Sequence, residues 1–335
     1  MSPPKSGEPY PPSTPASMKR LMFSLIVSFL AASPAFPFAA EGHKTIAAIA
    51  EPLLNDTARH AIVSILGTET MMDASVFPDE IKPPFGSLCK TDEAKAFNQA
   101  HGDNKKWHYV NFPVGSKKYS LTSRYAYPHD VVHLINGCVT VLEGGEFENL
   151  TQKDALRFLI HFVGDVHQPL HVVAGYYDVS DPQHPKLETN LSAITSDTAS
   201  DGGGNALDYG PGELHACWDK VLVNDILATT DPAALATNVM IGVSADSYRT
   251  TGKPQGWAAK WASDSMKQAI GAYADVEFGA ATFDQHGDLK KIDITLKPST
   301  QDYRTKNAQV VKEQLRKGGI HLSQLLNSIN WDVSP

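Results

Sequence analysis

Two short runs pair an imidazole with a carboxylate four residues apart, His161-Phe-Val-Gly-Asp165 and His215-Ala-Cys-Trp-Asp219. On a helix that spacing brings both side chains to one face. The first pair lies inside Phe158-Leu-Ile-His-Phe-Val-Gly-Asp-Val-His-Gln-Pro-Leu-His171, an otherwise apolar segment. A carboxylate on an apolar helix is costly unless it is paired or binds a metal. Pro169 must end or kink that helix, so His171 approaches from a different direction. A lone pair of this kind is more often a surface hydrogen bond, but two pairs with His171 beside them favour a metal. Imidazole with carboxylate suits zinc, above all in hydrolytic sites that keep a position open for water. Cys89, Cys138 and Cys217 are too dispersed for a thiolate site, so the ligands must be nitrogen and oxygen. In an exported chain two of these cysteines would form one disulfide, with the pairing left open.

The elements that must position these groups read as helices. Apolar residues recur at helical spacing over Thr45–Leu54 and again over Asp56–Leu66, after a break at Asn55. Val131–Gly144, Lys153–Gln168 and Leu214–Leu227 read the same way, as do segments near 232–248, 256–276 and 305–328. Residues 68–120 read as irregular, with one strand-like piece around Trp107–Phe112. Gly175–Asn205 is long, polar and short of apolar residues, which predicts a surface loop. The expected fold is mainly α, one helical domain with long loops.

The bulk composition limits how this chain can meet a charged ligand. Among 335 residues, 29 basic side chains face 37 acidic ones, a net charge of −8. That is the wrong sign for gripping nucleic acid with a basic surface, so an anionic substrate must be drawn in by something local. Bound metal ions would serve. At the N-terminus, Lys19 and Arg20 precede an apolar run from Leu21 to Ala32, with small residues through Ala35. The run is too short to span a bilayer and fits a cleaved secretory peptide. Residues 1–37 are therefore expected to be an upstream extension and signal peptide, and 38–335 the catalytic domain. The mature chain would be secreted or periplasmic, free of the membrane, with no obligate protein partner implied.

Several segments, in order, resemble the S1/P1 nuclease family. They are Gly42-His43-Lys-Thr-Ile-Ala-Ala-Ile-Ala50, Ala74-Ser-Val-Phe-Pro-Asp79-Glu-Ile-Lys82 and Trp107-His108-Tyr109-Val-Asn111-Phe-Pro113. The run from His161 to His171 follows, then Gly203-Gly-Asn205, Leu214-His215 and Trp218-Asp219. The resemblance implies the helical fold shared by phospholipase C and P1 nuclease. It also implies three zinc ions. Asp79, His108, His161 and Asp165 would hold one, and His171, His215 and Asp219 another. His43 and Asp165 would hold the third, together with the backbone of Phe38, which stands where the family has tryptophan. A backbone chelate does not need an indole. Cleavage after Ala35 would leave Phe36 and Pro37 ahead of it, so the third ion depends on where the mature chain begins. Asp79 would orient the attacking water and Lys82 would neutralise phosphate, without the bidentate fork of the family's usual arginine. Tyr109 and Asn111 match positions that stack and hydrogen-bond a nucleobase. The implied activity is hydrolysis of single-stranded DNA, RNA or 3′-nucleotides to 5′-phosphorylated products. The competing readings are a zinc-dependent phospholipase C, whose last ligand pair ends in glutamate rather than Asp219, and an inactive zinc-binding relative.

Overall fold

The computed structural model describes residues 39–84, 86–227 and 231–331. Its first half runs through helices α1 (Ala39–Ala50), α2 (Asp56–Leu66), α3 (Met71–Ala74), α4 (Phe77–Glu80) and α5 (Asp92–Ala100), then strand β1 (Phe112–Pro113), α6 (Val131–Leu142) and α7 (Gln152–His167). Short strands follow: β2 (Val173–Ala174), β3 (Tyr176–Asp178), β4 (Lys186–Leu187), β5 (Ala199–Ser200) and β6 (Leu207–Asp208). The second half comprises α8 (Leu214–Ala216), α9 (Leu222–Leu227), α10 (Pro232–Met240), α11 (Trp257–Ala274), the hairpin β7 (Val276–Phe283) and β8 (Leu289–Leu296), and α12 (Thr300–Ser328). The architecture is mainly α, as the sequence implies. No described helix is long and apolar enough to cross a membrane.

Helix α7 is the axis of the fold. Every residue from Ala155 to His167 is buried, so that stretch has no solvent face and its polar side chains His161 and Asp165 turn toward other protein groups. Its start is fixed locally: the Thr151 hydroxyl accepts from Asp154 N while Asp154 Oδ2 accepts from Thr151 N, a reciprocal cap. Its end is fixed by Pro169. Helices α1, α6, α11 and α12 pack around it. Phe158 and Phe162 pack as a tilted ring pair within this core, and truncating either would cost about 3–5 kcal/mol. The last long helix, α12, also lies along α1 and α9. It reaches the second ligand pair through Tyr303, whose hydroxyl accepts from Trp218 Nε1 at 2.9 Å and donates to Ala272 O at 2.8 Å.

Four sequence expectations change. The strand-like piece at 107–112 opens on the end of a 3₁₀ turn, Asn104–His108, and runs irregularly through 109–111, and only Phe112 and Pro113 pair, in parallel with Val173 and Ala174. The buried Trp107 and Val110 that suggested a strand are packed into the core. Residues 68–120 are less irregular than their prolines suggest, because they hold α3, α4 and α5. The polar 175–205 stretch is not all surface: β3 pairs with β4 and β5, and Tyr177 and Asp201 are buried beneath. Finally, Cys89, Cys138 and Cys217 are separate thiols, two of them buried, and the expected disulfide is not formed.

Candidate metal centre

Four neighbouring elements supply the first cluster. His161 and Asp165 project from the same face of α7, and their side chains approach to 3.1 Å. His43 comes from α1, with Nε2 at 3.6 Å from Asp165 Oδ1. It reaches that position because residue 164 is glycine, where a Cβ would fall 2.5 Å from the His43 ring. His108, at the end of the 3₁₀ turn, places Nδ1 at 2.9 Å from Asp165 Oδ2. Asp79, on α4, lies 3.6 Å from His161 Nε2 and 3.9 Å from His108 Nδ1. Both His43–His161–Asp165 and Asp79–His108–His161 bring their ligand atoms within 4.8 Å of one another.

A third group, within the same 4.8 Å limit, is His171, His215 and Asp219. After Pro169 the chain turns so that His171 Nδ1 lies 3.0 Å from Asp165 Oδ1 and Nε2 lies 3.5 Å from Asp219 Oδ1. His171 thus stands between the two carboxylates. Residues Cys217–Val221 form one turn of π-helix, an irregularity frequent at functional sites. Across it, His215 Nε2 and Asp219 Oδ2 lie 3.1 Å apart.

The outer partners fix which ring nitrogen faces inward. His161 Nδ1 donates to Ser75 O at 2.7 Å, and His215 Nδ1 donates to Gly203 O at 2.7 Å. Each therefore turns a bare Nε2 toward the cluster, the tautomer a metal requires. Gly203 holds φ +72°, and a Cβ there would sit 2.3 Å from Leu170 O, so the loop carrying that acceptor is clamped on the segment leading to His171. Asp201 anchors the same loop, accepting from Gly175 N, Gly204 N, Tyr177 Oη and Tyr273 Oη at 2.9–3.1 Å.

Burial and charge set the protonation of this cage. Burial, reinforced by His161, holds the His43 imidazole down to about 3. Burial also opposes protonation of His171, but Asp165 and Asp219 outweigh it and lift the group to about 10. Asp219 is held well below the usual carboxylate range, because His215 and His171 overcome the cost of its burial. Around them, His108 Nε2, Asp165 Oδ1, both His171 nitrogens and Asp219 Oδ2 are buried and make no well-aligned hydrogen bond. Buried polar atoms left without aligned partners in this way are expensive for an ordinary core. This ligand set of imidazole and carboxylate fits divalent cations, which would displace a proton from His171 on binding.

Above the cluster is a cavity of about 360 Å³ whose lining includes Lys82, Lys105, Tyr109, Asn111, Asn205 and His215. Lys82 Nζ lies 2.5 Å from Asp79 Oδ1. Among the residues singled out in the sequence, Asp79, Lys82, His43, His108, His161, Asp165, His171, His215, Asp219, Tyr109 and Asn111 all meet at this place. Phe38 lies outside the described residues. Sequence reasoning passed over Lys105, Gln168 and Asp201. Gln168 was discoverable, since it sits beside His171 in the most specific segment. Its Nε2 donates to Asp219 Oδ1.

Such a fold and site define a helical protein built around buried His/Asp clusters able to hold metal ions, beside a cavity lined by Lys82, Lys105 and Tyr109. A model of the S1/P1 nuclease family matches residues 38–330, and the chain belongs to that family. It is similar to Endonuclease 1 of Arabidopsis thaliana, at 22% identity over 316 residues covering 87% of each chain. Endonuclease 2 of the same plant is 24% identical over 311 residues, 86% of this chain and 89% of the relative. Nuclease P1 of Penicillium citrinum is 27% identical over 192 residues, 53% of this chain and 58% of the relative. The protein is a nuclease, a hydrolase of phosphodiester bonds.

Proposed function

We propose that the chain is a zinc-dependent endonuclease and 3′-nucleotidase that cleaves single-stranded DNA and RNA to 5′-phosphorylated products. The observation that carries this reading is the convergence of three ligand groups, two of them sharing His161 and the third joined to them by the His171–Asp165 contact, beside a cavity lined by Lys82 and Tyr109. Asp79, His108, His161 and Asp165 would hold one ion, His171, His215 and Asp219 a second, and His43 with Asp165 a third that also takes the backbone of Phe38. Zinc supplies Lewis acidity and water activated near neutral pH when bound to such ligands.

The chain's own residues do the rest. Asp79 is almost fully buried, with one oxygen committed to Lys82. It is placed to accept a proton from the attacking water and hold it in line. Lys82 and Lys105 bring positive charge to the phosphate, which a chain of net charge −8 would otherwise repel. Tyr109 offers a ring face for a nucleobase and Asn111 hydrogen-bonding groups for its edge. Residues 1–37 are proposed as an export leader and 38–335 as the catalytic domain, which would make the mature enzyme secreted or periplasmic. The deciding experiment isolates the mature protein, sequences its N-terminus, counts its zinc and compares turnover on denatured DNA with turnover on phosphatidylcholine micelles. Zinc-dependent cleavage of DNA alone supports the reading. Faster turnover of the lipid, or full activity after chelation, refutes it.

A further inference from the structure

Tyr109 does not mark the end of the binding surface. The cavity over the metal ligands includes Lys105 and Tyr109, and a second cavity of about 450 Å³ adjoins it, lined by Asp103, Lys106, Tyr109, Tyr127, Pro128 and His129. The two hollows share Tyr109, and the consecutive lysines 105 and 106 each line one of them.

The walls of the second hollow are held before anything binds. Tyr127 Oη lies 2.6 Å from Lys106 O and 2.7 Å from Tyr109 O, so its ring is tied to the backbone that carries the other wall. Tyr127 N also donates to Asp130 Oδ2, within the buried cap of α6. His129 Nε2 is held at 2.8 Å by Glu148 Oε1. In each case the polar end of the side chain is engaged, while Tyr127 and His129 remain half-buried on the hollow's wall. Fixed rings with accessible surface are what a stacking platform needs, since little order must be imposed on binding.

Resting on the nuclease reading above, we infer that this second hollow is a subsite for the nucleotide next to the one at the metal centre. Its base stacks against Tyr127 and His129, and Lys106 meets its phosphate. The occupant is identified by continuity. A polynucleotide seated over the metal ligands must leave past Tyr109, and the hollow behind that ring offers a second aromatic wall and a second lysine at the next step. Asp103 opposes Lys106 within the hollow, and Glu148 balances His129 behind it. Stacking rather than net charge therefore carries the binding. A small phosphodiester, or a nucleoside 3′-phosphate, ends before this point and does not use it.

The test is a double variant, Lys106→Ala with His129→Ala, neither residue being part of the metal centre. Relative to wild type, kcat/KM for a single-stranded oligothymidylate should fall roughly tenfold or more, mainly through KM. The value for bis(p-nitrophenyl) phosphate should stay the same. His129→Phe, which keeps a ring face and discards the link to Glu148, should retain most oligonucleotide activity. Unchanged oligonucleotide kinetics in the double variant overturn the subsite, as does an equal fall on both substrates. Wild-type enzyme that hydrolyses the small diester but no oligonucleotide overturns the polynucleotide reading itself, a separate result from failure of the subsite alone.

Discussion

The side-chain amide of Gln168 donates to Asp219 across 2.7 Å, while its oxygen accepts from Leu170 N. One residue thus links the turn that aims His171 to the carboxylate of the opposite ligand pair. Outer partners of this kind typically contribute 10–100-fold in metal affinity. Gln168→Ala should weaken zinc binding at the His171–His215–Asp219 group by roughly tenfold or more. Titration against a competing chelator would register the change, and an unaltered affinity would remove the link.

Asp79 belongs to the cluster and is paired with Lys82, which lines the cavity. If it accepts the proton of the attacking water, Asp79→Asn should lower turnover by about 10²-fold or more. Zinc content should be measured on the same sample, so that lost chemistry is separated from lost metal. Full turnover at normal zinc content would contradict the role.

Removing the ions should also loosen the protein. Buried polar atoms of Asp165, His171 and Asp219 that face the cluster have no well-aligned hydrogen-bond partner within the chain, so metal binding and folding would be linked. At a thousandfold excess of zinc over Kd, each site adds about 4 kcal/mol. Thermal unfolding after chelation should therefore begin well below that of the zinc-loaded protein and recover on adding zinc. A melting curve indifferent to chelator would argue against a metal at all.

Asp201 gives a pH signature distant from the ligands themselves. Burial pushes its carboxyl from 3.8 to about 6 despite four hydrogen-bond donors. Below about pH 4 the group is neutral in folded and unfolded chains, and no penalty exists. As pH rises toward 6 the unfolded chain ionises first, which drains stability from the folded state by up to about 3 kcal/mol. Asp201→Asn lacks this slope. The difference in unfolding free energy between the two proteins should therefore shift in favour of the variant between pH 4 and 7. Parallel denaturant curves at both ends would reveal a flat difference if the carboxyl titrates normally.

What the sequence disclosed follows the range of the interactions involved. Helix α7 was legible to within a residue at each end because a capping threonine and a proline act locally. The two i,i+4 pairs were legible for the same reason. Their meeting was not: His161 contributes to two ligand groups because α1 and α4 pack against α7, and His171 stands between two carboxylates because the turn after α7 meets the π-helical turn that carries Asp219. Asp201 looked like loop composition because one of its partners, Tyr273, lies on α11, far along the chain. The hairpin β7–β8 was not anticipated, although β8 shows alternating burial in its second half. The strand-like reading at 107–112 mistook core packing for a ladder.

The contact between α1 and α12 joins nearly the two ends of the described chain. His43 rides on the helix that this contact holds in place, so the cage is incomplete until α12 has left the ribosome. A nascent chain carries the ligands but not the pocket. Competence to cut therefore arrives late, after synthesis has run past Ser328, and a polypeptide truncated before α12 would release its histidines without ever gathering them.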